Sequence, residues 1–281
     1  MIKCNIQVNR LRRRVFFKQR YKTLMSALLL KIGQLSIFVY GFFIALSLVI
    51  AITLAKHAAR RSGVDQEKIL NLCFYLLLAA IFGARFIYVF LYPEKFLADP
   101  LEILKIWKGG LVFYGGIMTA LATGLIYVKK VNLPGWKTAD ILVPSIVIGH
   151  FLSKLGCFFA GCRLGKLYDL PWAVSLIQSE SIISRGAPLQ PAHLYTALNS
   201  LLIFSILLLL RRYKKFDGQL LWVCVLLYGI AGFLIGIFHS DYQGHYVYGV
   251  VPVSQILAGL MVATAVFVLI YRGRKTPRIE D

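Results

Sequence analysis

The chain has 281 residues, 58% of them hydrophobic, and a mean hydropathy of +0.70. Its apolar runs exceed the roughly 18 residues that a membrane span requires, which excludes a soluble globular protein. Lys and Arg total 32 against 12 Asp and Glu, a formal charge of +20. In a soluble chain that would suggest nucleic acid, but membrane proteins keep Lys and Arg in their cytoplasmic loops, so no nucleic-acid partner is expected.

Residues 1–24 carry Lys3, Arg10, Arg12, Arg13, Arg14, Lys18, Arg20 and Lys22. They form a basic extension ahead of a membrane domain expected over 25–281. The first long apolar run is span-length and has no small-residue cleavage site after it, so a signal peptide is not expected. The simplest account of the extension is translation starting at Met25, with the short lead "MSALLLKIG"; the alternative is a genuine basic arm. Hydropathy then predicts seven helices, at about 34–55, 70–92, 110–128, 138–158, 192–210, 219–239 and 251–271, each near the ~20 residues needed to cross. Without a soluble domain, repeat or low-complexity linker, the fold expected is one all-α, seven-span membrane domain.

The connections alternate in charge. Lys56, Arg60, Arg61 and Lys68 follow the first span, Lys129, Lys130 and Lys137 the third, and Arg211, Arg212, Lys214 and Lys215 the fifth; the tail adds Arg272, Arg274, Lys275 and Arg278. The intervening connections hold Lys95, Lys105, Lys108, Arg163, Lys166 and Arg185 against Glu94, Asp99, Glu102, Asp169, Glu180 and Asp241, and are neutral. This asymmetry predicts an outside N-terminus and a cytoplasmic C-terminus.

Two outside stretches are long enough to build a site, residues 93–109 and 157–191. In the first, Phe96, Leu97, Leu101, Leu104 and Trp107 recur at helical spacing between charges, as in a connector helix lying along the membrane surface. Within the spans, Arg85, Asp140, His150 and Lys154 need explaining, because a charge at membrane depth costs kilocalories unless it is paired or faces a wet cavity. For Arg85 and Asp140 the alternatives are an interhelical ion pair and a direct role in a site. Lys154 opens the stretch "KLGCFFAGCRLGK", where Gly156, Gly161 and Gly165 let backbone approach a ligand closely. A cation beside such amides at a helix end suits a phosphate. Cys157 and Cys162 supply only two ligands of the four a structural zinc wants. A disulfide between them would need the glycines to break the helix.

The same stretch resembles the signature of the prolipoprotein diacylglyceryl transferase family, G-R-x-G-N-F-x-N-G-E-x-x-G, with a branch written G-R-x-G-C-F-x-A-G-C-C-Y-G. Similar segments follow in family order: "VYGFFIALS" around Tyr40, "FGARFIYVFLY" at 82–92, "DPLEILKIWKGGLVFYGG" at 99–116, "QPAHLYTAL" at 190–198, "DGQLLWVCVLLYG" at 217–229 and "SQILAG" at 254–259. The resemblance covers the chain from about residue 30 to its end.

It implies an enzyme of the bacterial cytoplasmic (inner) membrane that moves a diacylglyceryl group from phosphatidylglycerol to the lipobox cysteine thiol of prolipoproteins, the first step of lipoprotein maturation. Glycerol phosphate would leave at the outer leaflet. The implied partners are phosphatidylglycerol, prolipoprotein signal peptides with a lipobox cysteine, and membrane lipid; no cofactor and no metal is implied. Lys154, Arg163, Arg85 and Gly161 would bind the phospholipid, and Tyr114, Tyr40 and His193 would be the catalytic candidates. The sequence departs from the family pattern at Lys154 for arginine, Cys162 for glutamate, Gln190 for histidine, and Gly232, Gly236 and His239 for Arg, Glu and Arg. Gly232 and Gly236 form a small-xxx-small pair expected to be a helix-packing face. The rival readings are a homologue that binds phospholipid or lipoprotein without transfer, and a transporter, for which a second broken-helix signal is missing.

Overall fold

The computed structural model describes residues 28–32, 35–98, 100–105, 109–160, 192–236, 246–247 and 251–275. The basic extension 1–24, together with Gly161, Cys162, Arg163, Gln190 and His239, lies outside the described residues. A long helix lies over each of the seven expected spans: α1 (Val39–Arg61), α2 (Gln66–Leu91), α3 (Phe113–Lys130), α4 (Gly135–Phe159), α5 (Ala192–Leu210), α6 (Gln219–Gly236) and α7 (Val253–Lys275). Among the described residues, α1, α2, α4, α5 and α7 are long and apolar enough to cross a membrane, and α6 is apolar but shorter. The chain is a helical, multi-pass membrane protein.

Two local differences from the expected elements have physical reasons. The first helix begins at Val39 rather than 34, because Leu35–Phe38 is an antiparallel strand paired with Leu28–Ile32. It runs on to Arg61 through the alanine-rich "AKHAARR", since alanine is the best helix former. It ends where Gly63 takes a φ of +65° and the Val64 amide reaches back to the Ala59 carbonyl at 3.0 Å, the left-handed C-terminal cap that glycine allows. The expected surface helix over 93–109 is broken into a six-residue helix, Pro93–Ala98, and a 3₁₀ turn, Pro100–Leu104. Pro100 has no N–H to continue a helix and disfavours helical backbone before it. Trp107 lies outside the described residues.

The chain divides into two compact units. One comprises Ala51–Ser145 with Phe216–Leu221. Its apolar centre is Ala55, Ala58, Ala59, Val64, Ile69, Leu72 and Ile141. Within it α2 and α3 approach closely through small residues. A Cβ on Gly115 would meet Ile87 at 2.6 Å and the Gly83 carbonyl at 2.9 Å, one on Gly116 would meet the Ala80 carbonyl at 2.9 Å, and one on Gly83 would run into Thr119. The Thr119 hydroxyl donates across the interface to the Ala79 carbonyl at 2.8 Å. In lipid there is no hydrophobic drive between helices, so this close packing and the interhelical hydrogen bond hold the pair. Phe82, Phe86 and Phe90, four residues apart on α2, are exposed, as a lipid-facing ridge should be. Gly83→Val is expected to destabilise the protein by about 1–3 kcal/mol through overpacking. In thermal unfolding in detergent, Thr119→Ala should recover part of that loss in the double variant.

The other unit comprises residues up to Ile50, Ile146–Lys215 and Trp222 to the end. On α5 the buried residues His193, Ala197, Ser200, Ile203 and Leu207 form one stripe, spaced as one helix face. Gly229 of α6 packs on α7, where a Cβ would meet Val262 at 2.9 Å and the Ala258 carbonyl at 3.2 Å. The packing face expected at Gly232 is not found there: among the described residues, a Cβ on Gly232 would meet nothing within 4 Å. The glycine that packs lies three residues earlier, and Gly232 is on the exposed side of the helix.

Candidate functional site

Arg85 sits in the last third of α2 and is only 6% exposed. Its guanidinium donates to four backbone carbonyls: Nε to Ile103 at 3.1 Å, Nη1 to Gly109 at 2.6 Å and Gly110 at 3.0 Å, and Nη2 to Glu102 at 2.5 Å. The rings of Tyr88 and Phe96 lie under it, 5.7 and 5.3 Å from the guanidinium carbon, adding cation–π attraction in a desolvated place. Arg85 is thus paired by backbone rather than by Asp140, and it pins both ends of the 102–110 connection to α2. Gly109 and Gly110 make this possible. Their φ values are +83° and +79°, and a Cβ on Gly110 would meet Tyr88 at 2.5 Å and Arg85 Nη1 at 2.8 Å. The chain then enters α3 with the Val112 amide on the Ala84 carbonyl at 3.0 Å. Tyr114, two residues on, is 68% exposed and shares its face with exposed Met118, Leu121 and Leu125.

Asp140, buried on α4, accepts from the Gly218 amide at 2.8 Å and the Leu221 amide at 3.1 Å. These amides open α6, so a carboxylate from another helix satisfies its first donors and complements its dipole. Asp140→Ala is expected to cost about 2 kcal/mol, the upper end for a lost cap. Faster hydrogen exchange should be confined to the amides of residues 218–221, with Asp140→Asn intermediate.

In the other unit, the end of α4 carries the recognised stretch. Gly156 faces α1, where a Cβ would meet Phe43 Cβ at 2.5 Å, and the Phe43 ring stacks on Phe159 with centroids 5.7 Å apart. Close packing on Gly156 therefore fixes this end of α4 against the start of α1. Tyr40, 41% exposed, stands one turn before Phe43. Lys154 is half-buried, and its ammonium has no hydrogen-bond or ion-pair partner among the described residues. One turn before it, His150 Nδ1 lies 2.9 Å from Ser200 Oγ and 3.1 Å from Tyr228 Oη. The Tyr228 hydroxyl donates to Ser200 Oγ at 3.1 Å. His193 is buried in the first turn of α5.

Of the residues singled out in the sequence, Lys154, Tyr40 and His193 fall in one unit, and Arg85 and Tyr114 in the other. Gly161 and Arg163 lie outside the described residues. Sequence reasoning missed the link from His150 to Ser200 and Tyr228. The only signal was three polar side chains in otherwise apolar helices, and nothing local ties residues 150, 200 and 228 together. Among the described residues, no three His, Cys, Asp or Glu side chains are grouped so as to hold a metal ion.

Comparison with known proteins matches these features to a family. The chain matches the prolipoprotein diacylglyceryl transferase family over residues 27–271. It is 32% identical over 250 residues to a phosphatidylglycerol--prolipoprotein diacylglyceryl transferase of Listeria innocua, covering 88% of this chain and 89% of that one. The similarly named protein of Bacillus velezensis is 28% identical over 257 residues, covering 90% and 94%. That of Wolbachia pipientis is 30% identical over 261 residues, covering 89% and 95%. With the glycine-rich stretch and the helical membrane fold in agreement with a match of this extent, the chain belongs to the prolipoprotein diacylglyceryl transferase family.

Proposed function

We propose that the protein transfers a diacylglyceryl group from phosphatidylglycerol to the lipobox cysteine thiol of prolipoproteins, at the outer leaflet of the bacterial cytoplasmic membrane. The observation that carries the reading is Lys154: a half-buried ammonium without a protein partner among the described residues, held next to Gly156 on the family's signature stretch. A cation left unpaired at such a place is suited to an anionic ligand. The reaction needs a thiolate, because only the thiolate attacks well, and a stabilised phosphate leaving group. Lys154 and Arg163 supply the cations, with Gly161 in the same glycine-rich run. Arg85 acts through the connection it pins, and Tyr114, Tyr40 and His193 are the other candidate catalytic groups. The test is transfer of labelled diacylglyceryl to a lipobox peptide in membranes of a host depleted of its own enzyme. One observation favours a second reading, a phospholipid-binding homologue without transfer: Gly232, exposed and with no described residue within 4 Å of where its Cβ would stand, occupies a place where the family carries arginine. Background activity of the wild type in that assay would select it.

The proposed topology has seven spans, an outside N-terminus and a cytoplasmic C-terminus, supported by the alternating charge of the connections. Reporter fusions at residue 213 are expected in the cytoplasm and at residue 175 outside. Both on one side would rule out seven crossings.

A further inference from the structure

His150 of α4, Ser200 of α5 and Tyr228 of α6 form a hydrogen-bonded group to which the family resemblance gave no role. Its proton positions follow from counting. Ser200 is fully buried and turns its hydroxyl onto the Thr196 carbonyl one turn back, at 2.9 Å, a common habit of serine in membrane helices. With its proton used there, Ser200 Oγ can only accept from other groups. The 2.9 Å contact from His150 Nδ1 to that oxygen therefore requires the proton on Nδ1, and Tyr228 fills the second acceptor position at 3.1 Å. A neutral imidazole carries one N–H, and a resident second charge in an apolar helix is costly. Nε2 thus bears a lone pair, and no hydrogen bond from another described residue reaches it. The ring is half-buried, and Lys154 lies four residues on, along the same helix face.

We infer that His150 is the base of the transfer reaction, with Nε2 taking the proton of the substrate thiol; this rests on the activity proposed above. The proton moves from sulfur to Nε2, leaving a thiolate and an imidazolium whose Nδ1–H stays on Ser200. The thiolate sulfur bonds to the glyceryl carbon as the bond from that carbon to the phosphate oxygen breaks, and the oxygen keeps the electron pair. The Nε2 proton then passes to the released glycerol phosphate, which restores the neutral ring. Base and phosphate cation come from one helix face, a turn apart, so the negative charge that develops on the leaving phosphate has a fixed partner in Lys154, while the imidazolium keeps its Nδ1–H on Ser200.

The test compares two lipobox peptides in membranes lacking the host enzyme, one with cysteine and one with selenocysteine, whose selenol is already ionised at neutral pH and needs no base. His150→Gln keeps a hydrogen-bonding side chain but cannot take a proton. It is expected to lower transfer to the thiol peptide by about 100-fold to 10,000-fold, the usual contribution of a general base, and to affect the selenol peptide far less. Ser200→Ala, which frees the Nδ1 proton, should show the same bias in weaker form, as a positioning residue would. Equal loss on both peptides would make His150 a structural residue and overturn the inference, as would full activity of His150→Gln on the thiol peptide. A wild type that transfers to neither peptide would overturn the activity itself, and the inference with it.

Discussion

Arg85→Ala is expected to release the 102–110 connection from α2 while leaving the rest of the fold in place. The guanidinium donates to the carbonyls of Glu102, Ile103, Gly109 and Gly110, and hydrogen bonds from a charged group contribute about 1.5–3 kcal/mol each. Four bonds in one network do not add, and Glu102, Ile103 and Gly109 are exposed enough to regain water. The expected loss is therefore about 3–6 kcal/mol rather than the full sum. Arg85→Lys should restore only part of it, because a lysine ammonium has three donors at a single point and cannot span four carbonyls. Hydrogen exchange would read the effect directly, with faster exchange at residues 102–112 and no change in α5 or α7. Unaltered exchange there would mean that Gly109 and Gly110 hold the connection by backbone geometry alone.

The sequence made the seven helices legible because a membrane span is written in one local property, about 20 apolar residues in a row. The paired glycines of "KGGLVFYGG" were also visible, but not their separate tasks. Gly109 and Gly110 supply left-handed backbone, whereas Gly115 and Gly116 admit a neighbouring helix. Arg85 could not be assigned from sequence, because its partners are backbone carbonyls, which every residue has. The sequence offered Asp140 as a mate on charge alone, and that carboxylate instead caps α6. Gly232 misled for a related reason. Glycine four residues before another fits a packing face, but which side of α6 meets α7 is set by the whole helix, and that side carries Gly229.

Lys154→Ala is expected to remove most of the transfer activity with little change in the fold. The side chain is half-buried and its ammonium has no hydrogen-bond or ion-pair partner among the described residues, so its loss breaks no such bond there, whereas a phosphate bound to it would lose its main cation. Truncating one member of a desolvated, hydrogen-bonded charge pair costs about 2–5 kcal/mol. On the rate of a step in which the phosphate gains charge, that is roughly 30-fold to several thousand-fold. Lys154→Arg should be tolerated or faster, because a forked guanidinium suits phosphate better than an ammonium does. Cys157→Ala, three residues along α4, should be nearly silent and serves as a control for disturbance of the helix end. Labelled diacylglyceryl transfer to a lipobox peptide, with protein amount in the membrane measured alongside, checks all three. Activity that survives Lys154→Ala but is lost in Cys157→Ala would move the phosphate site off Lys154 and onto the cysteine side of the glycine-rich stretch.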